Sequence, residues 1–221
     1  MKNNSLKFLF ALLWLFCAGC KTDQDFSSIP LNSQQVVIVE TDSKANTKAG
    51  LFTWELKNGH WYQVFGRMAA VVGRNGIAPI GEKREGDGRT PGGAYLLGTA
   101  FGYGPPPRLN ISYHQMTGDD LWVDDAASPD YNRWVKAPTP AKSFEHMKRS
   151  DNLYKYGIVV EYNTGPIVPG NGSAIFMHVW RGPDSPTAGC VALAEKDLIR
   201  ILKWLDFSKL SSIVLQNKKD K

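Results

Sequence analysis

The sequence predicts a mainly β domain carrying one amphipathic helix. Three observations predict it. Short apolar runs, several of them alternating with polar residues, recur from Gln35 onward. Glycine (21 residues) and proline (13 residues) are plentiful, which suits a loop-rich β protein better than a helical bundle. One segment near the C-terminus has clear helical periodicity, with Leu198, Ile201, Leu202 and Leu205 on one face and Lys196, Arg200 and Lys203 on the other. A length of 221 residues with 43% apolar content supports one good core, and 21% charged residues excludes both a disordered tail and a multi-span membrane protein.

The first twenty residues read as an address. Lys2 and Lys7 flank the start of an apolar run from Phe8 to Phe16. The run falls short of the roughly 20 residues that cross a bilayer and has the length of a signal-peptide core. Ala18 and Gly19, both small, stand directly before Cys20, and this resembles a bacterial lipobox, with Cys17 where leucine is usual. The resemblance implies that residues 1–20 are removed, that Cys20 is lipidated, and that the chain is held in the periplasm by a lipid anchor in a membrane. Lys21 favours the outer membrane. An ordinary secretory leader cut nearby is the alternative. Residues 21–35 read as a tether, polar and without periodicity. The domain then occupies 36–216.

Within it, Gln35–Val39 is a strand. Leu51–Leu56 and Trp61–Phe65 alternate around Asn58-Gly59, a hairpin signal. Met68–Val72 reads as a further strand. Residues 73–93 form a glycine-rich loop with a mixed-charge run from Glu82 to Arg89. Residues 104–150 are irregular, with a short helical piece beginning near Ser143. Gly157–Tyr162 is a strand. Ser173–Trp180 is a strand apolar on both faces, hence central. Ser212–Leu215 closes the sequence as a strand after the helix.

The formal charge is +5, nearer +3 once Lys2 and Lys7 are removed, too mild to indicate nucleic acid. It suits a surface facing anionic polymer. Metal binding is not indicated, because one cysteine and scattered histidines lack ligand spacing. The glycine-rich run lacks the Gly-Lys-Ser/Thr of a phosphate loop and the strand–helix context of a dinucleotide site, so no cofactor is expected.

The cysteines carry more. With Cys17 discarded and Cys20 lipidated, Cys190 is a lone thiol in an oxidising compartment. It is either an inert buried side chain or a nucleophile. His178 lies twelve residues upstream, near the end of a strand, and a Gly/Pro-rich loop from Arg181 to Gly189 joins them in what reads as a hairpin-like return. A neighbouring imidazole can take the thiol proton and later give it to a leaving amine. Small residues before the cysteine open the backbone, so that the N–H groups of Gly189 and Cys190 can face an oxyanion. Alternation puts His178 on the face of Phe176 and Trp180, which also suits a core histidine.

His178, a variable loop and Thr187-Ala188-Gly189-Cys190 resemble the signature of the L,D-transpeptidase catalytic domain (YkuD-like) family, and Gly86-Asp-Gly-Arg-Thr-Pro-Gly-Gly93 is similar to a second family segment that precedes a strand. The resemblance implies a β-sandwich-like fold with one or two helices packed on the sheet. It also implies attack by Cys190 on an L,D peptide bond of a peptidoglycan stem peptide, with His178 as base. The acyl group then passes to an amine or to water. Ala188 and Ala192 replace the His and the Arg or Asn of many members, differences that bear on recognition rather than on the nucleophile. Stem peptides carry carboxylates, which makes Arg181 and Arg89 candidate clamps beside Thr187. Trp122, Asp124, Asp125, Tyr131 and Asn132 are candidates for a lid over the cleft, or else caps and anchors of the 104–150 insertion. A hydrolase on the same fold and a non-catalytic wall-binding module remain alternatives. A papain-like peptidase is disfavoured because its cysteine precedes its histidine.

Overall fold

The computed structural model describes residues 29–30, 32–43 and 46–218. The leader 1–20, with Cys17 and Cys20, lies outside the described residues, as do residues 21–28 of the tether. In chain order the strands are β1 (Gln35–Thr41), β2 (Lys48–Lys57), β3 (His60–Val71), β4 (Ile77–Ala78), β5 (Thr90–Pro91), β6 (Gly93–Gly102) and β7 (Tyr113–Gln115). There follow β8 (Asp120–Val123), β9 (Trp134–Lys136), β10 (Phe144–His146), β11 (Tyr156–Val160), β12 (Phe176–Val179) and β13 (Val191–Leu193). Helix α1 (Glu195–Trp204) and β14 (Ser211–Asn217) complete the chain.

The main sheet runs β11-β12-β13-β3-β2-β1-β14-β6, and β6 returns to pair with β11, so eight strands close into a mixed barrel with β7 branching from β6. This corrects the sandwich expectation: β6 is long enough to pair with β14 through Gly93–Leu96 and with β11 through Leu97–Gly102, which leaves no open edge between them. The expected strand at Met68 is the far half of β3, which continues past bulges in its pairing with β2. Asn58 and Gly59 both take positive φ (50° and 79°), as a two-residue hairpin turn requires.

Side-chain parity divides the apolar residues. Val37, Val39, Leu51, Met68, Met177, Val179, Val191, Leu193, Ile213 and Leu215 share one core, and the stripe Leu198, Ile201, Leu202 and Leu205 of α1 joins it. Glu195 and Asp197 in the first turn and Lys203 in the last suit the helix dipole. The opposite face of β12, with Phe176 and His178, looks outward. It is covered by a three-stranded sheet, β10-β8-β9, built from the 104–150 insertion. The helical piece expected near Ser143 is therefore β10: Phe144–His146 finds hydrogen-bond partners in Leu121–Val123. Asp120 organises this sheet. It is fully buried and accepts from the Thr117 N–H and hydroxyl, Trp134 Nε1 (3.0 Å) and Lys136 Nζ (2.8 Å). Burial pushes its pKa up, but these donors hold it well below the carboxylate range.

Candidate active site

β12 and β13 run parallel, with His178 opposite Ala192, so the chain between them is a crossover and not the hairpin-like return expected. The crossover docks on the glycine-rich loop, where Thr187 bridges to Gly73. Gly73 is required there by close approach: a Cβ would stand 2.4 Å from the Gly88 carbonyl oxygen. Cys190, one residue before β13, thereby faces the same side of the barrel wall as Phe176 and His178.

The thiol is 7% exposed and packs with Phe101, Trp122, Tyr154 and Phe176. Its S–H donates to the Ala174 carbonyl (3.2 Å), and its sulfur accepts the Phe176 N–H (3.4 Å). Ala174 has φ +53°, a left-handed conformation costly for alanine. Asn132 holds it there. Its Oδ1 accepts both the Ala174 N–H (3.0 Å) and Trp122 Nε1 (2.9 Å), while its Nδ2 donates to the carbonyls of Tyr162 and Asn163. The insertion thus sets the carbonyl that accepts the thiol hydrogen bond.

His178 is 5% exposed. Its Nδ1–H donates to the Val179 carbonyl at 2.8 Å, which leaves Nε2 as the basic nitrogen. Its ring meets the Tyr154 ring edge-on at 5.1 Å. No hydrogen bond joins His178 to Cys190; each is held by a backbone carbonyl, and both border one cavity of about 220 Å³. Burial pulls the imidazole down to about 4 and pushes the thiol up to about 12. The resting pair is therefore neutral.

The sulfur stands on a divide. The first cavity is bordered by His178, Tyr154, Arg149 and Arg181, and a second, of about 150 Å³, by Asp124, Glu85, Lys83 and Arg74. Cys190, Ala188 and Glu145 border both.

The other expected residues divide. Thr187 lies in the first cavity wall and braces the turn: its hydroxyl donates to the Cys190 carbonyl (2.6 Å) and accepts the Gly189 N–H (3.1 Å). The Gly189 N–H is thus engaged at rest rather than turned to the cleft. Arg181 borders the first cavity with a 65% exposed side chain, touching Asp151 at 3.3 Å. Arg89 borders neither cavity; its carbonyl lies against Gly189 instead. Trp122 is no lid: it is buried, edge-on to Phe176 at 5.0 Å. Tyr131 and Asn132 are buried as well, and Asp125 accepts the Ala127 and Lys142 N–H groups as a turn cap. Of that group Asp124 alone borders either of these two cavities. Glu145, Arg149 and Tyr154 were not singled out from the sequence. Nothing local marks them: they come from an irregular stretch, and only the pairing of β10 with β8 turns Glu145 inward.

The L,D-transpeptidase catalytic domain (YkuD) family model matches residues 35–214. No curated protein matches the chain. Two similar solved structures are the helical cell shape determining protein Pgp2 of Campylobacter jejuni (18% identity, TM-score 0.46, 86% of this chain and 49% of that one) and Bd1075 of Bdellovibrio bacteriovorus (15%, 0.44, 83% and 48%). The chain spans about half the length of these structures. With 180 of its residues inside the family match and a mainly β barrel beneath them, the chain belongs to the L,D-transpeptidase catalytic domain family, whose work concerns peptidoglycan.

Proposed function

We propose that this protein is an exported cysteine acyltransferase acting on peptidoglycan stem peptides through a thioester on Cys190. The observation that carries this reading is the shared cavity: the one cysteine among the described residues and the most buried histidine face the same space, with a second cavity behind the sulfur. Because both groups are neutral at rest, the thiol proton moves as the sulfur attacks. Sγ leaves its bond to the Ala174 carbonyl, His178 Nε2 takes the proton, and the C–S bond forms. The carbonyl electrons pass to oxygen, which the Cys190 N–H receives, joined by the Gly189 N–H on release from Thr187. Collapse expels the amine of a D-residue, which takes the proton from the imidazolium. Arg181 at the cavity mouth suits the substrate carboxylate. A lipid on Cys20 and a periplasmic location complete the proposal.

Incubation with purified disaccharide-tetrapeptide, read by mass spectrometry, tests it. The wild type is expected to release a D-amino acid and Cys190→Ala to do nothing. Cross-linked dimers in the product define transfer, shortened monomers hydrolysis. Equal processing by Cys190→Ala overturns the nucleophile.

A further inference from the structure

Glu145 is, besides Cys190 itself, the one ionisable residue that borders both cavities. It projects from β10, where it lies opposite Trp122 in register. Its carboxylate accepts the hydroxyl of the buried Tyr154, whose ring in turn meets His178. The carboxyl is therefore held by a fixed donor on the His178 side, with a second face toward the other cavity. Arg149, Asp124 and Glu85 are the charged groups that act on it from neighbouring segments, and burial together with the two acids raises its pKa above the ordinary carboxylate value.

We propose that Glu145 is the general base of the second half-reaction, taking the proton of the amine or water that enters from the cavity opposite His178 and attacks the thioester on Cys190. The inference rests on the acyl-enzyme reading above. The step balances: the nucleophile's lone pair forms the new bond to the acyl carbon, its proton passes to a Glu145 oxygen, and the C–S bond breaks. The sulfur keeps that electron pair and is reprotonated from solvent, because the His178 imidazolium has already given its proton to the departing amine. Glu145 then loses its proton through the second cavity.

Charge supports this order. An ionised Glu145 opposes a thiolate at Cys190, so the two negative charges are not favoured together. In the acyl-enzyme the sulfur is a neutral thioester, and the carboxylate is unopposed. As the sulfur leaves, the carboxylate has just been neutralised. During deacylation the negative charge therefore passes from the carboxylate to the departing sulfur.

The test separates the half-reactions. Glu145→Gln is isosteric and keeps an acceptor for Tyr154. In a rapid-quench experiment with excess disaccharide-tetrapeptide, the variant is expected to acylate at a rate within a few-fold of wild type. It then accumulates a thioester adduct on Cys190 that decays about 100-fold more slowly, the loss typical of a missing general base. Decay is followed in buffer alone, where water is the nucleophile, and with excess unlabelled tetrapeptide, whose amine competes. Glu145→Asp is expected to restore part of the decay rate. Should Glu145→Gln fail to fold, Tyr154→Phe, which removes only the hydroxyl that orients the carboxylate, is expected to slow decay several-fold with acylation retained. Wild-type decay in the folded variants overturns the role of Glu145 and leaves the acyl-enzyme reading standing. Failure of the wild type to form any adduct overturns that reading instead.

Discussion

Thr90 and Thr187 donate their hydroxyls to one acceptor, the carbonyl of Cys190, at 3.2 and 2.6 Å. Each hydroxyl also accepts a backbone N–H, Gly73 for Thr90 and Gly189 for Thr187. Two segments far apart in the chain thereby clamp the peptide that carries the Cys190 thiol. Replacing either threonine by valine keeps the shape and removes both bonds. Each change is expected to cost about 1–2 kcal/mol in urea unfolding, and the pair less than the sum, since they share a target. Acylation is expected to slow less for Thr187→Val than for Thr90→Val, because it also frees the Gly189 N–H that the oxyanion recruits.

Reactivity of the thiol is expected to follow its raised pKa. Iodoacetamide labelling of Cys190 should climb about tenfold per pH unit from pH 6 to 9, because the thiolate fraction is still rising throughout. A plateau across that range would mean that a thiolate–imidazolium pair exists at rest.

His178 predicts an acid weakness. Its folded pKa of about 4 lies below the ordinary 6.5, so below 6.5 the unfolded chain binds a proton that the folded one refuses. Stability is whole above pH 6.5 and falls as pH drops toward 4, by up to about 3 kcal/mol. Denaturant titrations between pH 7 and 4 measure this, and His178→Phe is expected to flatten the slope.

Arg181 and Arg89 should separate. Arg181→Ala removes a guanidinium from the mouth of the cavity and is expected to raise KM for a carboxylate-bearing stem peptide several-fold with kcat little changed. Arg89→Ala, remote from both cavities, is expected to leave KM in place. Steady-state kinetics of D-amino acid release decide between them.

Trp122 ties the insertion to the barrel. Trp122→Ala is expected to destabilise by about 3–5 kcal/mol and to depress activity beyond what stability alone explains, because Asn132 loses one of the two donors that position it under Ala174. A melting curve and the acylation rate at low temperature give the two effects separately.

Cys190 and His178, which border the first cavity, were legible because they are recognised by residue type. A thiol and an imidazole close in sequence, with glycine before the thiol, need no tertiary knowledge to be noticed. The helix was legible because its period is local. Partnerships were not. The apolar spacing of Phe144 and Met147 mimics a helical turn, and only the distant Leu121–Val123 makes a strand of it. The Arg181–Gly189 crossover has the composition of a hairpin loop, so its parallel outcome was hidden. Closure of the barrel depended on the reach of β6 across two neighbours, a matter of register rather than composition. Glu145 carries no local mark, because only the pairing of its strand with Leu121–Val123 places it between the two cavities.

The final strand has a consequence for synthesis. β14 is flanked by β1 and β6, so the first strand waits until every other strand of the barrel has been made before it gains its second neighbour. A chain emerging amino end first holds the Cys190 thiol without a finished ring around it until Ser211–Asn217 arrives. Closure of the barrel is thereby tied to the arrival of that one strand.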